Sequence, residues 1–168
     1  MKQNDNIILI GMCGVGKSTV GVLLAKALSR YFLDTDVYIQ AIEQKSLQEI
    51  IDEQGLEKFC QIEESHIICI DIKNAVIATG GSAIYSDRAI KHLAKNGTII
   101  HLDLNYDLIE KRITDLDSRG VVIAKGQTLK SLYNDRHPLY RKYADITIPC
   151  GGLTHDEVVS AIIKALNS

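Results

Sequence analysis

The sequence predicts a single α/β domain, a parallel sheet wrapped by helices. Apolar runs of strand length recur at Ile7 to Ile10, Tyr31 to Leu33, Ala75 to Ala78, Thr98 to Leu102 and Asp145 to Ile148, with helix-like periodicity between them. The chain has 168 residues, 46% hydrophobic and 24% charged, which is enough for one sizeable core and too few for two ordinary domains. Only two prolines, Pro138 and Pro149, interrupt the pattern, and there is no internal repeat or low-complexity linker.

The first strand runs into "GMCGVGKST" and then an amphipathic stretch, "KSTVGVLLAKALS". Gly11, Gly14, Val15, Gly16, Lys17, Ser18 and Thr19 lie in or beside the pattern GxxxxGK[ST], set between a strand and a helix as a phosphate loop requires. Glycines let backbone N–H groups curl around phosphate oxygens, and the helix N-terminus adds partial positive charge. Lys17 would reach the terminal phosphates of a nucleoside triphosphate, and the Ser18 hydroxyl could ligate Mg²⁺. A glycine-rich turn with no ligand is the alternative, and the flanking strand and helix argue against it. Cys13 fits the loop as a small residue, although the nearby lysine could favour its thiolate.

The second strand ends in "FLDTD", with Asp34 and Asp36 one residue apart. Mutual repulsion and burial both penalise such a pair, so a cation or proton donors should lie beside it. A parallel neighbour of the first strand brings its C-terminal end to the same sheet edge as the phosphate loop. If the strand continued, both carboxylates would point the same way. One could hold Mg²⁺ through its water shell, and the other could accept a hydrogen bond from a hydroxyl about to be phosphorylated. The competing reading is that Asp36 merely caps a helix beginning near Val37.

Helical patches "SLQEIIDE" and "GLEKFCQIEESHIICI" follow, and the third strand ends in "TGGS", residues 79 to 82. Consecutive glycines there would allow a small molecule to approach the backbone closely. Further helical patterns are "DRAIKHLAKN", "NYDLIEKRITDL", "TLKSLYNDRHPLYRKY" and "THDEVVSAIIKALN". Residues 115 to 126, "DLDSRGVVIAKG", read equally as a surface loop or as a lid over a substrate.

Composition excludes several classes. With 19 basic and 21 acidic residues the net charge is -2, which gives no surplus for tracking a nucleic-acid backbone. Four cysteines without a CxxC pair indicate neither a zinc site nor a disulfide framework, and a reduced cytoplasm fits. No apolar run is long enough to span a membrane, and none has a signal-peptide pattern. Nothing argues for a stable assembly, so a monomer is expected.

The motifs "GMCGVGKST", "FLDTD", "LQEIIDEQGLEKF", "VIATGG", "RITDLDSRG" and "DRHPLYRKYAD", in this order and spacing, resemble shikimate kinase, of the nucleoside-monophosphate-kinase-like P-loop group, over nearly the whole chain. The resemblance implies a three-layer P-loop kinase fold: a five-stranded parallel sheet of order 2-3-1-4-5, a substrate-binding helical region at about residues 36 to 62, and a lid closing on ATP. It implies ATP and shikimate as substrates with Mg²⁺. Asp34 matches the magnesium-site aspartate, and Asp36 matches the aspartate that meets the acceptor hydroxyls as a base. Gly80 and Gly81 match the substrate-contacting glycines, and Arg136 the arginine that binds the substrate carboxylate. Arg119 matches the lid arginine that neutralises the transferring phosphoryl group, and Arg112 an arginine beside the adenine, whose other neighbour would be the loop at residues 149 to 154. The "DTD" and "TGG" motifs fit a polyol pocket better than a nucleoside monophosphate site.

Three positions depart from that family's pattern. Cys60 stands where a second carboxylate-binding arginine is usual, Ser82 replaces a third glycine, and Gly120 replaces a proline after the lid arginine. A cysteine is neither a cation nor a bidentate donor. Losing one charged hydrogen bond costs about 1.5–3 kcal/mol, on the order of ten- to a hundredfold in acceptor affinity. Lys58, two residues away on the helix, would face elsewhere. Three readings stay open: a weakened shikimate site, a pocket rebuilt for another hydroxy acid or polyol, or a nucleotide-binding protein without catalysis. Retention of Lys17, Asp34, Asp36 and Arg119 favours catalysis.

Overall fold

The computed structural model describes residues 5–114 and 126–168. Strand β1 (Asn6–Ile10) leads into helix α1 (Lys17–Leu28), then β2 (Tyr31–Asp34) and three short helices, α2 (Thr35–Glu43), α3 (Leu47–Gln54) and α4 (Leu56–Ile67). Strand β3 (Ala75–Ala78) is followed by a 3₁₀ turn (Ala83–Tyr85), α5 (Asp87–Ala94), β4 (Gly97–Asp103), α6 (Tyr106–Thr114), α7 (Leu129–Tyr143), β5 (Ile146–Pro149) and α8 (His155–Leu166). The five strands form one parallel sheet of order β2-β3-β1-β4-β5, as the resemblance implied.

Parallel strands buried on both faces read as unbroken apolar runs, and "IILI" in β1 is 0% exposed at all four residues. Helix α1 packs on β1, β3 and α8, while α5 packs on β4 with α4 beside it. Chain order reverses at β1, where the strand has β3 on one side and β4 on the other. Ligand crevices open at such a switch point, outside the carboxyl ends of the strands. Ile39, Leu47, Ile50 and Phe59 form a separate small core beneath α2, α3 and α4, against which Cys60 packs.

Two local expectations are corrected. Strand β2 stops at Asp34 and α2 starts at Thr35, so the alternation that would have aligned the two aspartates as strand neighbours does not apply. The helix cap is Asp34, not Asp36: its Oδ1 accepts from the amides of Asp36 (3.0 Å) and Val37 (3.3 Å). Asp34 is at once the last residue paired with β3 and the Asx-type cap of α2, so strand and helix meet at one residue. Pro138 lies inside α7 without ending it. Capping boxes open α3 (Ser46 with Glu49) and α8 (Thr154 with Glu157).

Candidate active site

The sheet register brings the motif ends together. Asp34 is level with Ala78, and Ala78 with Leu9, so the "FLDTD", "TGGS" and "GMCGVGKST" segments all leave the sheet at one edge. In the phosphate loop Gly16 takes φ 103°, a left-handed conformation that suits glycine, and stands as the N-cap of α1 with no side chain to occupy the helix end. The first-turn amides of a 12-residue helix are thereby presented toward an anion. Lys17 is buried across the loop, its Nζ donating to the carbonyls of Gly11 (2.7 Å) and Met12 (2.9 Å). Burial lowers its pKa, with Cys13 and Asp36 acting in the opposite sense. Ser18 and Thr19 are exposed at the start of α1. Burial also raises the Cys13 thiol, outweighing Lys17, so the cysteine is a fitting small residue and not a reactive thiolate.

Arg112 on α6 donates from Nη1 to the carbonyls of Val15 (3.1 Å) and Gly14 (3.4 Å), tying that helix to the phosphate loop. His155, the first residue of α8, lies against Gly16 on the same side, and Leu108 on α6 against Gly151 of the 149–154 loop. Arg119, Gly120 and the rest of the expected lid up to residue 125 lie outside the described residues.

The other half of the site is built on the two glycines after β3. A Cβ on Gly80 would lie 2.5 Å from Glu63 Oε1 and closer still to Asp36 Oδ1, and one on Gly81 would lie 2.9 Å from Arg136 Nη1. Only glycine leaves room for these groups to converge. Thr35, fully buried between the two aspartates, accepts from the Gly80 amide at 2.9 Å and fixes the glycine turn to the start of α2. Asp36 is raised to about 6 by burial first and then by Asp34, with Lys17 and Arg136 opposing. The pair anticipated in "FLDTD" does therefore sit in mutual repulsion beside cations, although by a strand-to-helix junction and not along a strand.

Arg136 on α7 is 3% exposed, donates from Nε to the Tyr85 hydroxyl (3.2 Å) and lies over the Tyr85 ring at 5.1 Å. Tyr140, one turn further along α7, donates its hydroxyl to the Gly81 carbonyl at 2.8 Å. A solvated surface arginine is thus excluded at position 136. Sequence reasoning missed Thr35, Tyr85, Tyr140 and, above all, Glu63. A signal for Glu63 was present: Phe59, Glu63 and Ile67 recur at i, i+4, i+8 and form the buried face of α4, where a carboxylate is out of place. Burial raises Glu63 to about 7, against a Ser82 hydrogen bond and the charge of Arg136 that lower it.

Comparison with known proteins finds relatives over nearly the whole chain. The profile of the family described as shikimate kinase matches residues 13–167. Shikimate kinases of Clostridium botulinum (strain Eklund 17B) and Thermodesulfovibrio yellowstonii are 39% and 38% identical, over 98% and 95% of this chain and 98% and 93% of theirs. Among solved structures, the Acinetobacter baumannii shikimate kinase in complex with shikimate superposes with TM-score 0.86 at 28% identity, covering 97% of this chain and 93% of that one. The Aquifex aeolicus shikimate kinase gives 0.80 at 30% identity, covering 96% of each chain. A sheet order, a phosphate loop and a glycine-turn pocket that agree with sequence identity over nearly full length have one economical explanation: the chain belongs to the shikimate kinase family.

Proposed function

We propose that the chain transfers the γ-phosphoryl group of ATP to a hydroxyl of shikimate, giving shikimate 3-phosphate and ADP, as a monomer of the cytoplasm. The observation that carries this reading is the meeting of the Asp36 carboxyl, the Gly80–Gly81 turn and Arg136 beside the phosphate loop. The loop from Gly11 to Thr19 cradles the phosphates, and Lys17 moves its ammonium from loop carbonyls to phosphate oxygens. Asp36 accepts the hydrogen bond of the attacking hydroxyl and, with its pKa at about 6, is mostly ionised at neutral pH. Arg136 receives the acceptor's carboxylate beside the Gly81 backbone. Arg112 steadies the nucleotide end by holding the loop carbonyls, and Arg119 neutralises charge on the phosphoryl group in flight. Phosphoryl transfer needs little covalent help, so positioning and positive charge supply most of the rate.

The donor set suits Mg²⁺. Ser18 and Asp34 offer hard oxygens, Asp34 is aimed by its cap to α2, and the described residues hold no cluster of three or more His, Cys, Asp or Glu that would make an all-protein metal cage. Mg²⁺ commonly takes few protein ligands and completes its shell with phosphate and water. When bound it would neutralise charge on the phosphates.

A second reading is favoured by one observation: a thiol raised by burial and by the Glu63 carboxylate, Cys60, stands where the family pattern has a cation. The pocket would then take a different hydroxy acid. ADP release with MgATP, measured with and without millimolar shikimate and with a panel of hydroxy acids and polyols, decides between them. Shikimate-dependent release is expected; turnover only with another acceptor overturns the assignment.

A further inference from the structure

Two of the three departures from the family pattern converge on one side chain. Cys60 lies one helical turn from Glu63 on α4, and burial first and then the Glu63 carboxylate raise its thiol. Ser82, 4% exposed, hydrogen-bonds to the Glu63 carboxyl from the far end of the glycine turn. Glu63 itself is 2% exposed, and its Oε1 has no hydrogen-bond partner. That oxygen lies against Gly80, next door to the place where Arg136 Nη1 lies against Gly81, and consecutive Cα atoms are only about 3.8 Å apart. A buried polar atom without a partner is costly, and this one is sealed against Gly80 on the same side as Asp36 Oδ1; Gly80 and Asp36 are the two groups that the acceptor reading places beside the substrate.

We propose that Glu63 is a specificity-determining residue of the acceptor site, meeting the acid end of the acceptor as a hydrogen-bond donor beside the Arg136 guanidinium. This rests on the reading of the pocket as one for a hydroxy acid. The charged and titratable groups facing Glu63 are Asp36 from α2, Lys17 from α1, Arg136 and Tyr140 from α7, and Cys60 from its own helix. The neighbouring Glu64 turns away to Ser86 and Arg88. Asp36 and an incoming carboxylate are already two anions on these walls. A third would repel both, whereas a carboxylic acid offers the missing donor. An arginine at position 60 would supply a cation for Glu63; a thiol cannot. The same chain that lost one carboxylate-binding arginine has thus kept a second donor by leaving Glu63 without a counterion on α4.

The consequence is a proton-linked acceptor affinity. Burial holds Glu63 protonated up to about pH 7, while shikimate, an ordinary carboxylate, stays ionised across pH 6 to 9. The KM for shikimate at saturating MgATP should be flat below about pH 7 and rise by about tenfold per pH unit above it, without a matching fall in kcat. Glu63→Gln, whose amide donates at every pH, should abolish that slope. Cys60→Arg should also abolish it, by pairing with an ionised Glu63, and should lower KM at pH 8.5. A flat wild-type profile, or an unchanged slope in Glu63→Gln, overturns the proposal; if that variant does not fold, the same slope persisting in Cys60→Arg overturns it. The carboxylic-acid C=O stretch, seen as an infrared difference between wild type and Glu63→Gln at pH 6, does not depend on the acceptor. Its absence overturns the proposal even if shikimate is turned over. Its presence with no shikimate turnover overturns the acceptor reading instead, and the pH profile is then read on the hydroxy acid that is turned over.

Discussion

Glu63 also leaves a mark on stability that can be measured with no substrate present. Its carboxyl is raised from an ordinary 4.5 to about 7, chiefly by burial. The folded state therefore holds the proton more tightly than the unfolded chain. For a raised carboxyl the stabilising contribution is complete below the unfolded pKa and is lost as pH rises from about 4.5 to about 7. At roughly 1.4 kcal/mol for each pH unit of displacement, about 3 kcal/mol is lost by pH 8. Glu63→Gln cannot ionise, and part of the wild-type loss has already occurred by pH 5, so its stability relative to wild type should improve by about 2 kcal/mol between pH 5 and pH 8. Comparing the two pH values removes any fixed cost of burying the amide. Asp36 repels Glu63 and is itself raised, so removing one charge eases the other and the pair shares the effect. Urea midpoints of both proteins at pH 5, 6.5 and 8 give the double difference directly. A change below about 1 kcal/mol would refute the claim that a protonatable carboxyl is buried in the acceptor wall.

Three further outcomes are expected. Asp36→Asn should abolish phosphoryl transfer while leaving MgATP affinity nearly intact by titration calorimetry, because the amide cannot accept the hydroxyl proton; equal activity would sink the assignment. Gly81→Ala places a methyl carbon 2.9 Å from Arg136 Nη1, so the acceptor KM should rise on the order of tenfold, with a smaller change in the KM for ATP. Thr154→Ala removes a side chain that accepts from the Glu157 amide at 3.3 Å and is half of the α8 capping box, and should cost about 1 kcal/mol in a denaturation curve.

Most of the scaffold was legible in the sequence because its signals are local. Five apolar runs became five strands with ends shifted by a residue or so; the three central ones, β1, β3 and β4, are buried on both faces and have no polar alternation to confuse the reading, while the edge strands β2 and β5 are only partly buried. The phosphate loop was legible for a similar reason: backbone amides, a left-handed glycine and a helix start are dictated by neighbours along the chain. The β2–α2 junction was less so. "FLDTD" reads equally as a continuing strand or as a cap, and only the pairing of Asp34 with Ala78 and of the Gly80 amide with Thr35 decides that the strand ends there.

The acceptor pocket shows the other limit. Its walls come from α2, α4, the turn after β3, and α7, separated by tens of residues, and no spacing rule links Asp36 to Arg136. The resemblance assigned roles to single positions, and it marked Cys60 and Ser82 as unrelated departures. By itself the sequence determined the class of fold, the phosphate site and the family, because these depend on local backbone geometry and hydrophobic period. Tertiary structure alone decided that Ser82 bonds to Glu63, that Glu63 in turn raises the Cys60 thiol, and that the Glu63 Oε1 is orphaned. Burial and the convergence of charges are properties of packing, and a carboxyl's proton affinity follows from what surrounds it, not from its neighbours in the chain.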